Sequence, residues 1–238
     1  MSEQLPPRGN WAEARTPPAF NVPAIVAAVI AVLVAIHVGL WFLGESWQVW
    51  SLYALALIPA RFTVAGYPMP EGAQYWSLVT YMLLHGSWTH LLLNCVWLLV
   101  FGTPAARYLG NGKFLLLMLV SGAAGGLCSL VLHWGQDMIV VGASGGVMGL
   151  MGAATPLMYG GRLPDGGWRP ARFSELLRNR QALVFTGVVL AITLFSGGTG
   201  WTGNSFPAEG SIAWEAHIGG FIAGIFAFYA LAPRVRAA

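Results

Sequence analysis

Ser144, His217, His90 and Asn94 are the side chains of this sequence whose types, taken together, could cleave an acyl bond. A serine hydroxyl is a weak nucleophile until a base removes its proton. A neutral imidazole such as His217 can take that proton and return it to the leaving amine. The oxyanion that forms needs preorganised donors. A helix that starts at Ser144 offers free backbone N–H groups and the positive end of its dipole. His90 and Asn94, four residues apart, share one helical face and can add side-chain donors. A lone serine carries little information in an apolar helix, because it can bond back to its own backbone. The signal is its company on three distant stretches.

Other chemistries fit less well. His-x3-Asn lacks the His-Glu-x-x-His spacing, and no carboxylate or Cys lies at that depth, so neither a metal nor a cofactor is expected. Gly142-Ala-Ser144-Gly-Gly146 also satisfies Gly-x-Ser-x-Gly, with Ile139-Val140-Val141 before it as a candidate strand. That elbow belongs to a soluble parallel sheet, for which the hydropathy leaves no room. Glu215 is two residues from His217, on roughly the opposite face, and Asp137 lies outside its helix, so a Ser-His dyad without an orienting acid is expected. His85 reads as a loop-fixing residue and His37 as a packing residue without an identifiable partner. Cys95 and Cys128 read as small apolar side chains.

The elements that carry these residues are membrane spans. Of 238 residues, 56% are hydrophobic and 9% charged, against about 25% charged in an ordinary soluble domain. Apolar runs near the roughly 20 residues a crossing needs fall at about 22–43, 87–103, 114–133, 138–159, 181–196 and 212–231. An all-α, six-helix membrane domain over 22–233 is expected, between a disordered tail at 1–21 and a short tail at 234–238. The first run reads as a retained helix, since it ends in Trp-Phe-Leu-Gly-Glu without a small-residue cleavage site.

With alternating segments, eleven of the twelve basic residues fall on one side and only Arg61 on the other. The positive-inside rule then puts both termini in the cytoplasm, as in a multi-pass protein of a bacterial inner membrane. The charge of +3 and pI near 9.1 thereby find a use without nucleic acid. Helices 2, 4 and 6 start from the outer face, which brings His90, Asn94, Ser144 and His217 to one level. Gly145, Gly149 and Ala153 recur at intervals of four, as do Ala216, Gly220 and Gly224, so helices 4 and 6 can pack backbone to backbone. From Ser144 to Met158 the rise is roughly 22 Å, short of the roughly 30 Å apolar slab. The head of that helix should be sunk, reached by water through a cavity.

The Trp-rich stretch within Gly44 to Tyr75 should lie in the interface. Gly160 to Arg180 reads as a plain solvated connector, and Gly197 to Gly210 as a mobile lid.

At these residues the sequence resembles the rhomboid family of intramembrane serine proteases, over roughly Trp76 to Leu231. The resemblance rests on His85-x4-His90-x3-Asn94, Gly142-Ala143-Ser144-Gly145 and Ala216-His217-x2-Gly220. It implies Ser144 as nucleophile and His217 as base. It also implies an oxyanion site of His90, Asn94 and the Ser144 backbone, and substrates that are transmembrane proteins. Three positions depart from the family's usual pattern: Ser77 where an Arg commonly follows Trp76, Ala106 where a Glu is frequent, and Met148 where an aromatic commonly stacks on the catalytic His. Two other readings remain: a rhomboid-like binding factor without protease activity, and a small transporter. Against the latter stands the lack of an intramembrane carboxylate with a partner. Substrate identity and oligomeric state are not legible.

Overall fold

The computed structural model describes residues 22–68, 70–162, 168–198 and 213–233. Most of the chain within these limits is helical: α1 (Ala24–Leu43), α2 (Glu45–Leu55), α3 (Ala73–Thr80), α4 (Trp88–Trp97), α5 (Thr103–Leu109), α6 (Asn111–Leu132), α7 (Ser144–Met158), α8 (Phe173–Leu176), α9 (Arg180–Gly198) and α10 (Trp214–Leu231). Four stretches are long and apolar enough to cross a bilayer: α1, Trp88–Leu109, α6 and α10. The chain is an integral, multi-pass membrane protein. Its outward side chains agree, with Val32, Leu92, Leu127, Val131, Ile192 and Phe226 all exposed. Apolar surface on that scale needs lipid as its solvent.

The helix that begins at Trp88 runs on to Leu109, six residues beyond the expected end, through a π turn at Leu98–Gly102. Pro104 follows that turn and has no N–H to give. A widened turn carries the helix past the missing donor.

The centre of the bundle is α7, whose residues Gly145 to Pro156 are all buried. Its Gly and Ala residues admit neighbours at backbone distance. A β-carbon on Gly220 or Gly224 of α10 would strike the backbone of Gly145 or Gly149, and one on Gly149 would strike Ser121 of α6. The run from Met138 does not belong to this helix, which starts only at Ser144. Val140 is instead extended and exchanges two backbone hydrogen bonds with Leu57 of the connection that follows α2, at 2.9 and 3.1 Å. Apolar residues that read as a helix from hydropathy are thus used as an isolated bridge.

The connection that follows α2 is held by Arg61. It is buried, and its guanidinium donates to the carbonyls of Ala56 at 2.8 Å, Leu52 at 3.3 Å and Tyr53, which end α2. Trp76 Nε1 donates to Ala54 O at 2.7 Å. Ser77 is buried and bonds only locally, to Gln74 O.

The segment after α7 is not the plain connector expected. Gly161–Arg162 pairs with Trp168–Arg169 in a two-stranded hairpin, Arg169 grips Glu175 with two bonds of 2.7 Å, and Tyr229 of α10 donates to Ala171 O. Most of the expected lid, and both tails, lie outside the described residues.

Candidate active site

Three loops and helix ends converge at Gly142. Its φ of +121° is one that side chains rarely allow, and a β-carbon there would lie 2.6 Å from His90 Nε2 and 3.6 Å from Ser144 Oγ. The His90 imidazole and the Ser144 hydroxyl therefore flank the same backbone unit. Glycine is required because the ring fills the side-chain position.

Each side chain is placed by its own element. Ser87 caps α4 by accepting the His90 backbone N–H at 3.1 Å, which starts the helix one turn before Asn94. Asn94 is buried and donates one amide N–H to His90 O at 2.9 Å. An amide has two such protons, and the second makes no hydrogen bond among the described residues. Ser144 is the first residue of α7; the N–H of Val147 is the first to find an intrahelical carbonyl, that of Ala143. His217 sits in the first turn of α10, half-buried and within electrostatic range of His90. The Gly145–Gly220 contact holds that turn against the head of α7. Among the described residues no hydrogen bond joins Ser144 Oγ to His217. Such contacts are often long in ligand-free enzymes and tighten with substrate.

Two residues carry the floor of this site. His85 is buried, and burial, reinforced by nearby His90 and His37, holds its imidazole down to about 3, so it is neutral. In that form Nε2 can accept the N–H of Ala143, at 3.5 Å, next to the serine. Tyr81 is 1% exposed, donates its hydroxyl to Gly122 O at 2.8 Å and accepts the Gly142 N–H on its carbonyl at 3.0 Å. Tyr81 thereby links α6 to the turn before Ser144. Nothing in its sequence context singled it out. His37 is not partnerless: its ring meets Trp88 edge-on at 4.6 Å and lies against the His85 backbone.

A further correction concerns Glu215. It is a buried carboxylate with partners, accepting a hydrogen bond from Ser129 Oγ at 2.9 Å and lying 3.1 Å from His133 Nε2. The expected lack of a paired intramembrane carboxylate is overturned. A helical wheel turned Glu215 away from His217 but could not show that α6 waits on that side. Both cysteines are free, and no cluster of three metal-ligating side chains occurs among the described residues. Met148 is buried in the main core.

Packed apolar helices long enough to cross a bilayer, with an imidazole and a hydroxyl flanking one glycine at their ends, define an α-helical membrane protein. The sequence model described as "Rhomboid domain" matches residues 72–234, and the chain belongs to the rhomboid family. It is 37% identical over 107 residues to the putative rhomboid protease YdcA of Bacillus subtilis (strain 168), covering 44% of this chain and 53% of that protein. It is 31% identical over 160 residues to rhomboid protease GluP of the same organism, covering 66% and 26%. Over 153 residues it is 31% identical to rhomboid protease GlpG of Pectobacterium atrosepticum, covering 64% and 47%. The matched region thus spans about half or less of these relatives, which are named as proteases.

Proposed function

We propose that this protein is an intramembrane serine endopeptidase that hydrolyses peptide bonds in or beside the transmembrane segments of other membrane proteins. The observation that carries the reading is the approach of His90 and Ser144 about Gly142, with His217 one helix away across a glycine contact. Ser144 Oγ attacks the scissile carbonyl carbon and its proton passes to His217. The oxyanion is held by the first N–H groups of α7, the free N–H of Asn94 and His90. Collapse of the intermediate breaks the C–N bond, and the amine leaves with the proton from His217. Water then takes the amine's place and attacks the acyl carbon as His217 takes its proton; the second intermediate breaks the acyl–Oγ bond, His217 returns the proton to Ser144 Oγ, and the carboxylic acid product leaves.

The domain is a six-crossing bundle over 22–233, in which α7 and α9 complete the four long spans. Both termini are cytoplasmic, in a bacterial inner membrane. In a crossing helix of 15 residues, at about 1.5 Å each, Ser144 lies below the lipid surface.

Purified protein in lipid vesicles, incubated with a panel of single-pass segments, should yield products whose ends map by mass to one region of each segment. Ser144→Ala and His217→Ala should each abolish the products and the labelling of Ser144 by a fluorophosphonate. Cleavage that survives in either variant ends this reading. A binding factor would capture segments uncut, and a transporter would show flux unchanged by Ser144→Ala.

A further inference from the structure

The head of α10 buries a carboxyl group that the reaction does not use. Glu215 accepts from Ser129 Oγ and faces His133 Nε2, while His133 Nδ1 faces Gln136 Oε1 at 3.0 Å. One ring nitrogen of His133 thus faces Glu215 and the other faces the Gln136 amide. A buried carboxyl group is costly unless it is hydrogen-bonded. Ser129 and His133 supply its partners, and no Lys or Arg bonds Glu215 among the described residues. The titratable groups on the surrounding elements are otherwise engaged or uncharged: Cys128 packs at Gly219, Tyr81 bonds Gly122 O, and Asp137 accepts from Tyr67. His217 follows on α10 itself.

Two residues along a helix turn the direction by roughly 200°, so Glu215 and His217 leave α10 on nearly opposite sides. Fixing one fixes the aim of the other. The anchor is close, because a β-carbon on Gly125 of α6 would strike the Ala216 backbone. We propose that Glu215 is a positioning residue for His217. Its bonds to Ser129 and His133 set the rotation of α10. The inference rests on the reading of His217 as the base.

The test uses the full chain in vesicles, with the rate of Ser144 labelling by a fluorophosphonate and the melting temperature both followed from pH 5 to 9. Glu215→Gln should label about tenfold more slowly at pH 6, as for loss of a buried bonded partner, and its labelling profile should differ in shape from that of wild type, because the base is aimed differently. His133→Gln, whose amide can still donate to Glu215, should label close to the wild-type rate. A Glu215→Gln profile identical to wild type overturns the proposal. So does a profile scaled by one constant factor at all pH values, which would mark Glu215 as merely structural. If Glu215→Gln does not fold, Ser129→Ala takes its place, and wild-type labelling in that variant overturns the proposal. Wild-type protein that never labels, or labelling that persists in Ser144→Ala, removes the protease reading instead. The melting temperatures of wild type and Glu215→Gln still decide whether the anchor exists.

Discussion

The His90 ring occupies the place where a side chain on Gly142 would stand, 2.6 Å from the β-carbon such a residue would bring. Neither partner can retreat easily. The His90 backbone is held by the capped start of α4, and the Gly142 N–H is held by Tyr81 O.

Gly142→Ala therefore combines a backbone φ that L residues avoid, about 1–3 kcal/mol of strain, with a collision against a candidate oxyanion donor. Labelling of Ser144 should fall about 100-fold while most of the helical signal remains. A rate within about threefold of wild type would show that the ring moves aside freely.

Asn94→Ala removes a donor whose second N–H has no partner on α4. It should slow segment cleavage by about 10², the usual effect of losing one oxyanion contact. Segment affinity should change little, since the oxyanion exists only along the reaction path. Loss confined to affinity would move Asn94 out of the oxyanion site.

Arg61→Lys should be almost as damaging as Arg61→Met. Three carbonyls at the end of α2 are met by one planar fork, and a point-like ammonium cannot reach all of them. A loss of about 2–3 kcal/mol is expected from charge-assisted bonds of this kind, read as a lower melting temperature. Full recovery in the lysine variant would contradict the geometry.

His85 gives stability a pH dependence of its own. Its folded form is held neutral, down to about 3, whereas the unfolded chain takes up the proton near 6.5. Stability contributed by the neutral ring is thus complete above about pH 6.5 and drains away as pH falls toward 3, by up to about 1.4 kcal/mol per pH unit. Comparing wild type with His85→Gln between pH 7 and 5 should show the steeper acid loss in wild type. Equal slopes would refute the assignment.

The elements were legible wherever a residue's partner is a property of its own stretch. Hydropathy marks α1, α6 and α10, and the four-residue glycine spacing marks the backbone contact of α7 with α10. Interactions between distant stretches were not legible. Arg61 looked like an isolated charge because its partners are carbonyls, which every residue possesses. His37 lacked a visible partner because Trp88 reaches it only across α1 and α4. The start of α7 was obscured because residues 138–141 are as apolar as a helix, and only the bridge to Leu57 and the turn at Gly142 make them extended. Glu215 shows the same limit, since periodicity gives a direction but not the neighbour found there.

The glycine contacts along α7 and α10 leave main chain resting on main chain, with no rotamer between them that could swing away. A seam built so cannot breathe. Under the proposed function, a membrane-borne polypeptide reaches the serine through a more yielding wall of the bundle, among helices that touch through side chains rather than main chain.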